Sequence, residues 1–79
     1  MTAGPFLDID GAAELLVSSR RVLHQLASER RIPHRRLPGQ RKLVFVRAEL
    51  ESFVIDPTLE LEVVELERNG RIVRPKAAP

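Results

Sequence analysis

The side chains with the clearest chemical meaning in this sequence are basic, and they are concentrated in one stretch. Between Ser18 and Arg47, nine basic residues occur with a single acidic one, Glu29. The nine are Arg20, Arg21, Arg30, Arg31, Arg35, Arg36, Arg41, Lys42 and Arg47. Guanidinium and ammonium groups bind phosphate oxygens, and the release of condensed counterions favours association with nucleic acid. The stretch therefore predicts a surface that binds nucleic acid.

The distribution of charge carries more information than the net charge of +2. Residues 1–17 contain three acids and no base, and residues 48–67 contain seven acids and no base. The positive charge thus lies between two acidic flanks. A surface that merely keeps a protein soluble usually mixes the two signs more evenly, so this arrangement favours an anionic partner.

Other kinds of chemistry have little support in the sequence. There is no cysteine, and His24 and His34 are ten residues apart, which does not make a convincing metal site. The serines have no base and acid at spacings typical of a nucleophilic triad. We therefore expect no enzymatic activity, no metal, no cofactor and no small-molecule substrate.

The aromatic residues argue for double-stranded DNA rather than single strands or RNA. The chain has no Trp or Tyr and only three Phe. Single-stranded nucleic acid is usually bound by stacking its bases on exposed aromatic rings. We expect Phe6, Phe45 and Phe53 to form the aromatic part of the core instead.

The length and the absence of particular segments limit the architecture and the location. A chain of 79 residues makes one small domain. The N-terminus lacks the charged start and apolar run of a signal peptide, and no stretch approaches the roughly 20 apolar residues that span a bilayer. Together with the lack of cysteine, these features predict a cytoplasmic protein that does not bind a membrane.

Two short helices are expected to present the first basic residues. Asp8 is a good N-cap for a helix from about Ile9 to Leu16, and Ser19 (or Ser18) for a second from about Arg20 to Glu29. The second would turn Val22, Leu23, Leu26 and Ala27 inward. Arg20 and Arg21 at its start oppose the helix dipole, whereas a phosphate there would satisfy both the amides and the charges. A turn of about three residues between the helices is typical of a helix-turn-helix.

The remaining basic residues fall on a predicted hairpin. Ile32-Pro33 ends the second helix, and extended runs at residues 34–37 and 42–46 flank a turn at residues 38–41. Arg35 and Arg36 lie on opposite faces of their strand, so only one can face the DNA, and we choose Arg36. His34 is expected on the strand surface. A third helix, about Ala48 to Val54, would turn Leu50, Phe53 and Val54 to the core.

These elements predict an α+β fold, a small winged helix-turn-helix with a two-stranded wing, at residues 7–55. A C-terminal extension at residues 56–74 follows, and the ends at residues 1–6 and 75–79 are expected to be flexible. Alternating apolar and acidic residues before Asn69-Gly70 favour a hairpin in the extension, with a bulge near Val63-Val64. The alternative is a helix from Pro57 that Asn69-Gly70 would cap.

The role of the extension also remains open between two possibilities. It could be a solvated hairpin packed on the domain. It could instead dock a second copy or a partner protein, because Leu59, Leu61, Val63 and Ile72 exceed what a free tail needs.

The sequence resembles the excisionase-type helix-turn-helix proteins, which are related to the DNA-binding part of MerR-type regulators. The resemblance runs over about residues 7–54. The segments that carry it are Leu7-Asp8-Ile9-Asp10-Gly11-Ala12-Ala13-Glu14-Leu15-Leu16, Ser19-Arg20-Arg21-Val22-Leu23, Ile32-Pro33-His34-Arg35-Arg36, Gly39-Gln40-Arg41-Lys42 and Arg47-Ala48-Glu49-Leu50-Glu51-Ser52-Phe53. The family usually has Gly where Val17 and Arg30 stand, and a positive φ at Arg30 would cost about 1 kcal/mol.

The resemblance implies which residues contact DNA. The second helix would enter the major groove through Ser19, Arg20, Arg21, His24 and Gln25. The wing would contact the backbone or the minor groove through Arg36, Gln40, Arg41 and Lys42.

The resemblance also implies a biological role. It favours a recombination directionality factor that binds double-stranded DNA cooperatively, bends it, and acts with an integrase and with other copies on adjacent sites. One alternative is a small transcriptional repressor or antitoxin that uses the same surface. Another is a protein-interaction module that acts through the C-terminal extension.

Overall fold

A computed structural model describes residues 5–76, which form three helices and a five-stranded antiparallel sheet. The predicted α+β class is therefore confirmed. In chain order the elements are β1 (Phe6–Leu7), α1 (Ile9–Leu16), α2 (Arg20–Ser28), β2 (His34–Arg36), β3 (Leu43–Val46), α3 (Arg47–Ile55), β4 (Leu61–Glu65) and β5 (Arg71–Pro75). Residues 1–4 and 77–79, which make up most of the predicted flexible ends, lie outside the described residues.

The first two helices begin at the residues whose side chains cap them. The N–H of Gly11 donates to Asp8 Oδ1 at 2.8 Å, and the N–H of Val22 donates to Ser19 Oγ at 3.2 Å. Each bond satisfies one of the amides that a helix start leaves without an intrahelical partner. The bounds of α1 agree with the prediction, and α2 ends one residue earlier than predicted.

Both helices end in a Schellman motif built on a residue other than glycine. Val17 has φ 52°, and the N–H of Ser18 donates to Ala13 O at 2.9 Å. Arg30 has φ 57°, and the N–H of Arg31 donates to Leu26 O at 2.9 Å. The left-handed conformation favours glycine because a Cβ is crowded there. Val17 and Arg30 therefore carry this strain at the ends of α1 and α2.

The strands form one sheet in the order β1-β3-β2-β5-β4. The first hairpin comprises β2, β3 and the loop at residues 37–42, and in it Arg36 pairs with Leu43. The second hairpin comprises β4, β5 and the turn at residues 66–70. Its strand β5 pairs with β2, so that Arg36 also lies directly opposite Arg71. The predicted extension is therefore a hairpin within the same sheet as the first.

The turn of the second hairpin differs in detail from the prediction. The register is continuous from Leu61 with Pro75 to Glu65 with Arg71, so the bulge predicted at Val63-Val64 is wrong. The extra residue of the hairpin lies nearer the turn, where Leu66 and Glu67 both bond to Gly70. The N–H of Leu66 donates to Gly70 O, and the N–H of Gly70 donates to Glu67 O. Arg68 and Asn69 have φ 57° and 64°, and they are the two central residues of the turn.

The core lies between the helices and one face of the sheet. Leu23, Ile32, Phe45 and Leu50 are fully buried there, and Phe53 packs against them. Three predicted core residues are exposed instead, namely Phe6 (63%), Val22 (44%) and Val54 (54%). Phe6 lies in the short edge strand β1, and the nine-residue helices α2 and α3 bury narrower stripes than their sequences suggest.

His34 is also placed differently from the prediction, since it is fully buried rather than on the strand surface. Its Nδ1 lies 2.7 Å from Ile32 O, and its Nε2 accepts a hydrogen bond from Arg71 Nε at 3.0 Å. The sequence predicts that β2 is the outer strand of a two-stranded wing. In the structure β5 covers that side of β2, which buries the ring.

No helix within residues 5–76 is long and apolar enough to cross a membrane. In the same part of the chain, no three His, Cys, Asp or Glu side chains are grouped so that they could hold a metal ion.

Candidate nucleic-acid interface

The outward face of α2 carries the first group of predicted contact residues. Leu23 and Ala27 point into the core, which turns Arg20, Arg21, His24 and Gln25 to solvent. These side chains can form hydrogen bonds to base edges and phosphates. The hydroxyl oxygen of Ser19, by contrast, accepts the capping bond from Val22, which fixes where the helix begins.

The loop of the first hairpin carries the second group. Gln40, Arg41 and Lys42 are exposed, and the loop is held by a bond from the N–H of Gln40 to Leu37 O at 3.1 Å. Gly39 adopts φ 77°, a conformation that glycine tolerates well. The loop therefore presents a cationic tip on a defined backbone.

The two groups meet in a groove of about 370 Å³. Arg20 and His24 line it from α2, and Arg41 and Lys42 line it from the first hairpin. The remaining lining residues are Asp8, Ile9, Asp10 and Leu43. Four of the nine predicted contact residues thus share one surface, although they lie up to twenty-two positions apart in the sequence.

Carboxylates next to this surface already engage two of the predicted contact residues. Arg20 Nε lies 3.0 Å from Asp10 Oδ1, and Gln25 Nε2 donates to Glu29 Oε2 at 3.4 Å. Both side chains of the Arg20–Asp10 pair are 67% exposed. Exposed ion pairs contribute about 0–1 kcal/mol, so a phosphate can displace Asp10 from Arg20 at little cost.

Arg35 and Arg36 have different surroundings, as expected from the alternation of side chains along β2. Arg35 makes a bidentate ion pair with Glu49, with N–O distances of 2.9 and 3.0 Å, and both side chains are largely buried. Arg36 points to the other face, in line with Leu43 of the groove and with Arg71 of β5. Among the described residues Arg36 forms no such ion pair, and its contact with DNA stays a prediction.

The other predicted contact residues do not line the groove. Arg21 and Gln25 lie elsewhere on the exposed surface of α2, and Gln40 is exposed on the loop. Arg36 is half-buried at the end of β2.

Sequence reasoning missed the basic residues that the second hairpin contributes. The N–H of Gly39 donates to Arg68 O at 3.1 Å, and the Arg68 side chain lies over Gly39. The tip of the second hairpin therefore packs against the cationic loop of the first. The Asn69-Gly70 signal predicts the hairpin, but nothing in the local sequence indicates which strand it pairs with.

Arg71 of the same hairpin is buried beneath α2 and affects the ionisation of His34. Burial lowers the pKa of His34 to about 4, and the charge of Arg71 acts in the same direction. His34 is therefore neutral near pH 7, with its proton on Nδ1, facing Ile32 O, and Nε2 free to accept from Arg71. Burial also lowers the pKa of Arg71, and the charges of Arg36 and Arg30 add to this effect.

No family model, curated protein or solved structure matches this chain. The resemblance to excisionase-type proteins therefore stays a prediction made from the residues alone. Any functional assignment has to come from the geometry and charge of this surface.

Proposed function

We propose that this protein binds double-stranded DNA as a winged helix-turn-helix, with α2 in the major groove and the first hairpin as the wing. The observation that carries the proposal is the groove in which Arg20 and His24 of α2 face Arg41 and Lys42 of the first hairpin. A helix and a cationic loop side by side match the alternation of groove and phosphate backbone on DNA.

The dimensions of α2 suit this role. With its side chains an α-helix is about 10–12 Å in diameter, so α2 fits the major groove of B-DNA, which is about 12 Å wide. Arg20, Arg21 and Gln25 can reach base edges from this helix, since arginine pairs with guanine and glutamine with adenine. Arg41 and Lys42 would grip phosphates beside the groove.

Asp10 offers a sharp test, because it competes with DNA for Arg20. Replacing Asp10 by Asn removes that competitor and a charge that repels phosphate, so the affinity for DNA should rise. Glu14→Gln is the matched control, since Glu14 is an exposed acid on the same helix that does not line the groove. Fluorescence anisotropy with a labelled duplex measures both. Equal effects of the two variants would mean that net charge alone attracts DNA and that the groove is not the binding site.

Salt dependence and specificity test the proposed roles of the two elements. The logarithm of the binding constant should fall with the logarithm of salt concentration by about 0.9 per phosphate neutralised. Arg41→Ala should weaken binding to all sequences equally, whereas Gln25→Ala should relax preference at one base pair. A salt-independent affinity, or the same sequence preference after both substitutions, would contradict the proposal.

The resemblance supports an excisionase-like factor as the finer assignment within this proposal. A domain of this size buries only about 600–1,000 Å² on DNA, so tight binding should need several copies on adjacent sites. A repressor or antitoxin would use the same surface on an operator. Electrophoretic bending assays separate the two roles, because an excisionase-like factor bends its site and a simple repressor need not.

The third candidate, a protein-interaction module, would use the second hairpin. Its strand β4 forms one edge of the sheet, and Val63 on it is 41% exposed. An edge strand can pair with another chain. If Val63→Lys leaves DNA binding intact but abolishes association with a second copy or an integrase, the hairpin docks proteins.

A further inference from the structure

Arg71 is a buried cation whose hydrogen-bond partners are both neutral. It is only 7% exposed, and it donates to His34 Nε2 at 3.0 Å and to Ala27 O at 3.2 Å. Within residues 5–76 it forms no salt bridge with a carboxylate. Buried charges are normally paired, because desolvating an unpaired charge is costly.

The groups closest to Arg71 increase the local positive charge. Arg36 lies directly opposite it on β2, and Arg30 approaches from the end of α2. Arg36 Nε is buried, and no acceptor among the described residues bonds to it. The one acid nearby, Glu65, lies opposite Arg71 on β4 and is paired with Arg30 at 3.3 Å. Three guanidinium groups therefore share one carboxylate.

One row of paired residues across the sheet links this cluster to the groove between α2 and the first hairpin. Leu43, which lines the groove, pairs with Arg36, and Arg36 pairs with Arg71 in the same row across the sheet. The cluster therefore lies next to the groove along the sheet, on the side of the second hairpin.

We propose that Arg36 and Arg71, flanked by Arg30, form a phosphate-binding subsite that extends the groove onto the second hairpin. Phosphate fits because its several oxygens can accept from more than one guanidinium and its charge balances the cluster. The exposed Arg30–Glu65 pair (41% and 63% exposed side chains) can open to admit it. The inference rests on the proposed function only for the source of the phosphate, which would be the DNA backbone.

The first experiment compares two arginines on opposite faces of the sheet. Arg36→Gln removes a hydrogen-bond donor of the subsite but keeps the hydrogen bonds that Arg71 donates to His34 and Ala27. Arg74→Gln is the control, because it deletes the same charge on the face that carries the Arg74–Glu62 pair. Binding to a labelled duplex is measured by anisotropy over a salt series. Arg36→Gln should reduce the slope by about 0.9 and the affinity about fivefold near 0.15 M salt, with Arg74→Gln close to wild type.

The second experiment uses inorganic phosphate without DNA. Thermal unfolding is followed in phosphate and in chloride of equal ionic strength. Phosphate should raise the Tm of the wild type and of Arg74→Gln above the value in chloride, and this gain should disappear in Arg36→Gln.

The outcomes distinguish this inference from the proposed function. If Arg36→Gln matches Arg74→Gln in both experiments while Arg41→Ala still weakens DNA binding, the subsite is refuted and the proposed function stands. If the wild type binds no DNA but phosphate raises its Tm through Arg36, the proposed function fails and free phosphate is the occupant. If the wild type binds no DNA and phosphate does not raise its Tm above the value in chloride, both are wrong.

Discussion

Acidification should destabilise this protein through a single buried side chain, His34. The ring is fully buried, and its two nitrogens contact Ile32 O and Arg71 Nε. A proton on Nε2 would remove the acceptor of the Arg71 bond and place two cations 3.0 Å apart in the core. The native state therefore resists protonation, whereas the unfolded chain does not.

The size of the effect follows from the two pKa values. Burial lowers the pKa of His34 from 6.5 in the unfolded chain to about 4 in the folded protein. The contribution of neutral His34 is fully present above about pH 6.5 and is lost as the pH falls towards 4, because the unfolded state binds the extra proton in that window. At about 1.4 kcal/mol per pH unit, the loss reaches about 3 kcal/mol. A domain of this length has a total stability of about 4–12 kcal/mol, so the loss is large.

Urea denaturation followed by circular dichroism, repeated from about pH 7 to pH 4.5, measures this loss. The matched variant is His34→Gln, whose side-chain oxygen can accept from Arg71 but does not titrate. Asp56 acts at lower pH, because hydrogen bonds from Thr58 hold its pKa below the ordinary 3.8. The difference in slope between wild type and variant therefore isolates His34 from the carboxylates. His24→Gln, at an exposed position, should keep the slope of the wild type.

The result that would refute this reasoning is a wild-type protein whose stability falls no more steeply between pH 6.5 and 4.5 than that of His34→Gln. In that case the native state would accommodate a charged His34. Either the ring would reach water, or Arg71 would move away from it on protonation.

Four further substitutions, one of them a control, test the fold by thermal or urea denaturation. Val17→Gly should raise the free energy of unfolding by about 1 kcal/mol, because it removes the strain of a left-handed valine whose side chain is 92% exposed. A lower free energy of unfolding would show that the valine side chain makes a stabilising contact. Gly70→Ala should lower it by about 1–3 kcal/mol, since the added Cβ would lie 2.9 Å from Pro38 N and 3.1 Å from Arg36 O. Gly11→Ala, which meets only side-chain atoms of Leu7 and Asp8, should stay within about 1 kcal/mol of wild type and serves as its control. Glu49→Gln should cost about 1–2 kcal/mol by leaving the half-buried Arg35 without its counter-charge, and an unchanged denaturation midpoint would show that the pair adds nothing.

The helices could be predicted from the sequence because their signals are local. Asp8 and Ser19 cap the helices that follow them, and Ile32-Pro33 prevents continuation of the second. Such signals act over three or four residues and need no knowledge of the fold.

The sheet could be predicted only in part, because strand pairing depends on distant residues. Alternation and Asn69-Gly70 correctly favour the second hairpin over a helix. Neither specifies that β5 pairs with β2, and this pairing buries His34 and places Arg71 under α2. The exposed position expected for His34 was wrong for that reason.

The candidate site, like the sheet, could be predicted from the sequence only in part. The sequence identifies the basic residues of α2 and of the first hairpin, and the structure places Arg20, His24, Arg41 and Lys42 around one groove. The sequence alone does not reveal that Asp10 is paired with Arg20 or that Arg68 lies over Gly39, since both contacts arise from tertiary packing.

The position of β5 between β2 and β4 has a consequence for how the protein folds. β2 precedes β5 by more than thirty residues, yet it reaches its full set of backbone hydrogen bonds only when β5 arrives. While the chain is being synthesised, the surface of α2 can form early, but one edge of β2 remains open until the last strand of residues 5–76 has emerged. Pairing over such a separation is slow, and an open edge invites pairing with other chains. A nascent chain should therefore pass through a stage in which the helices are formed and His34 still lies open to water.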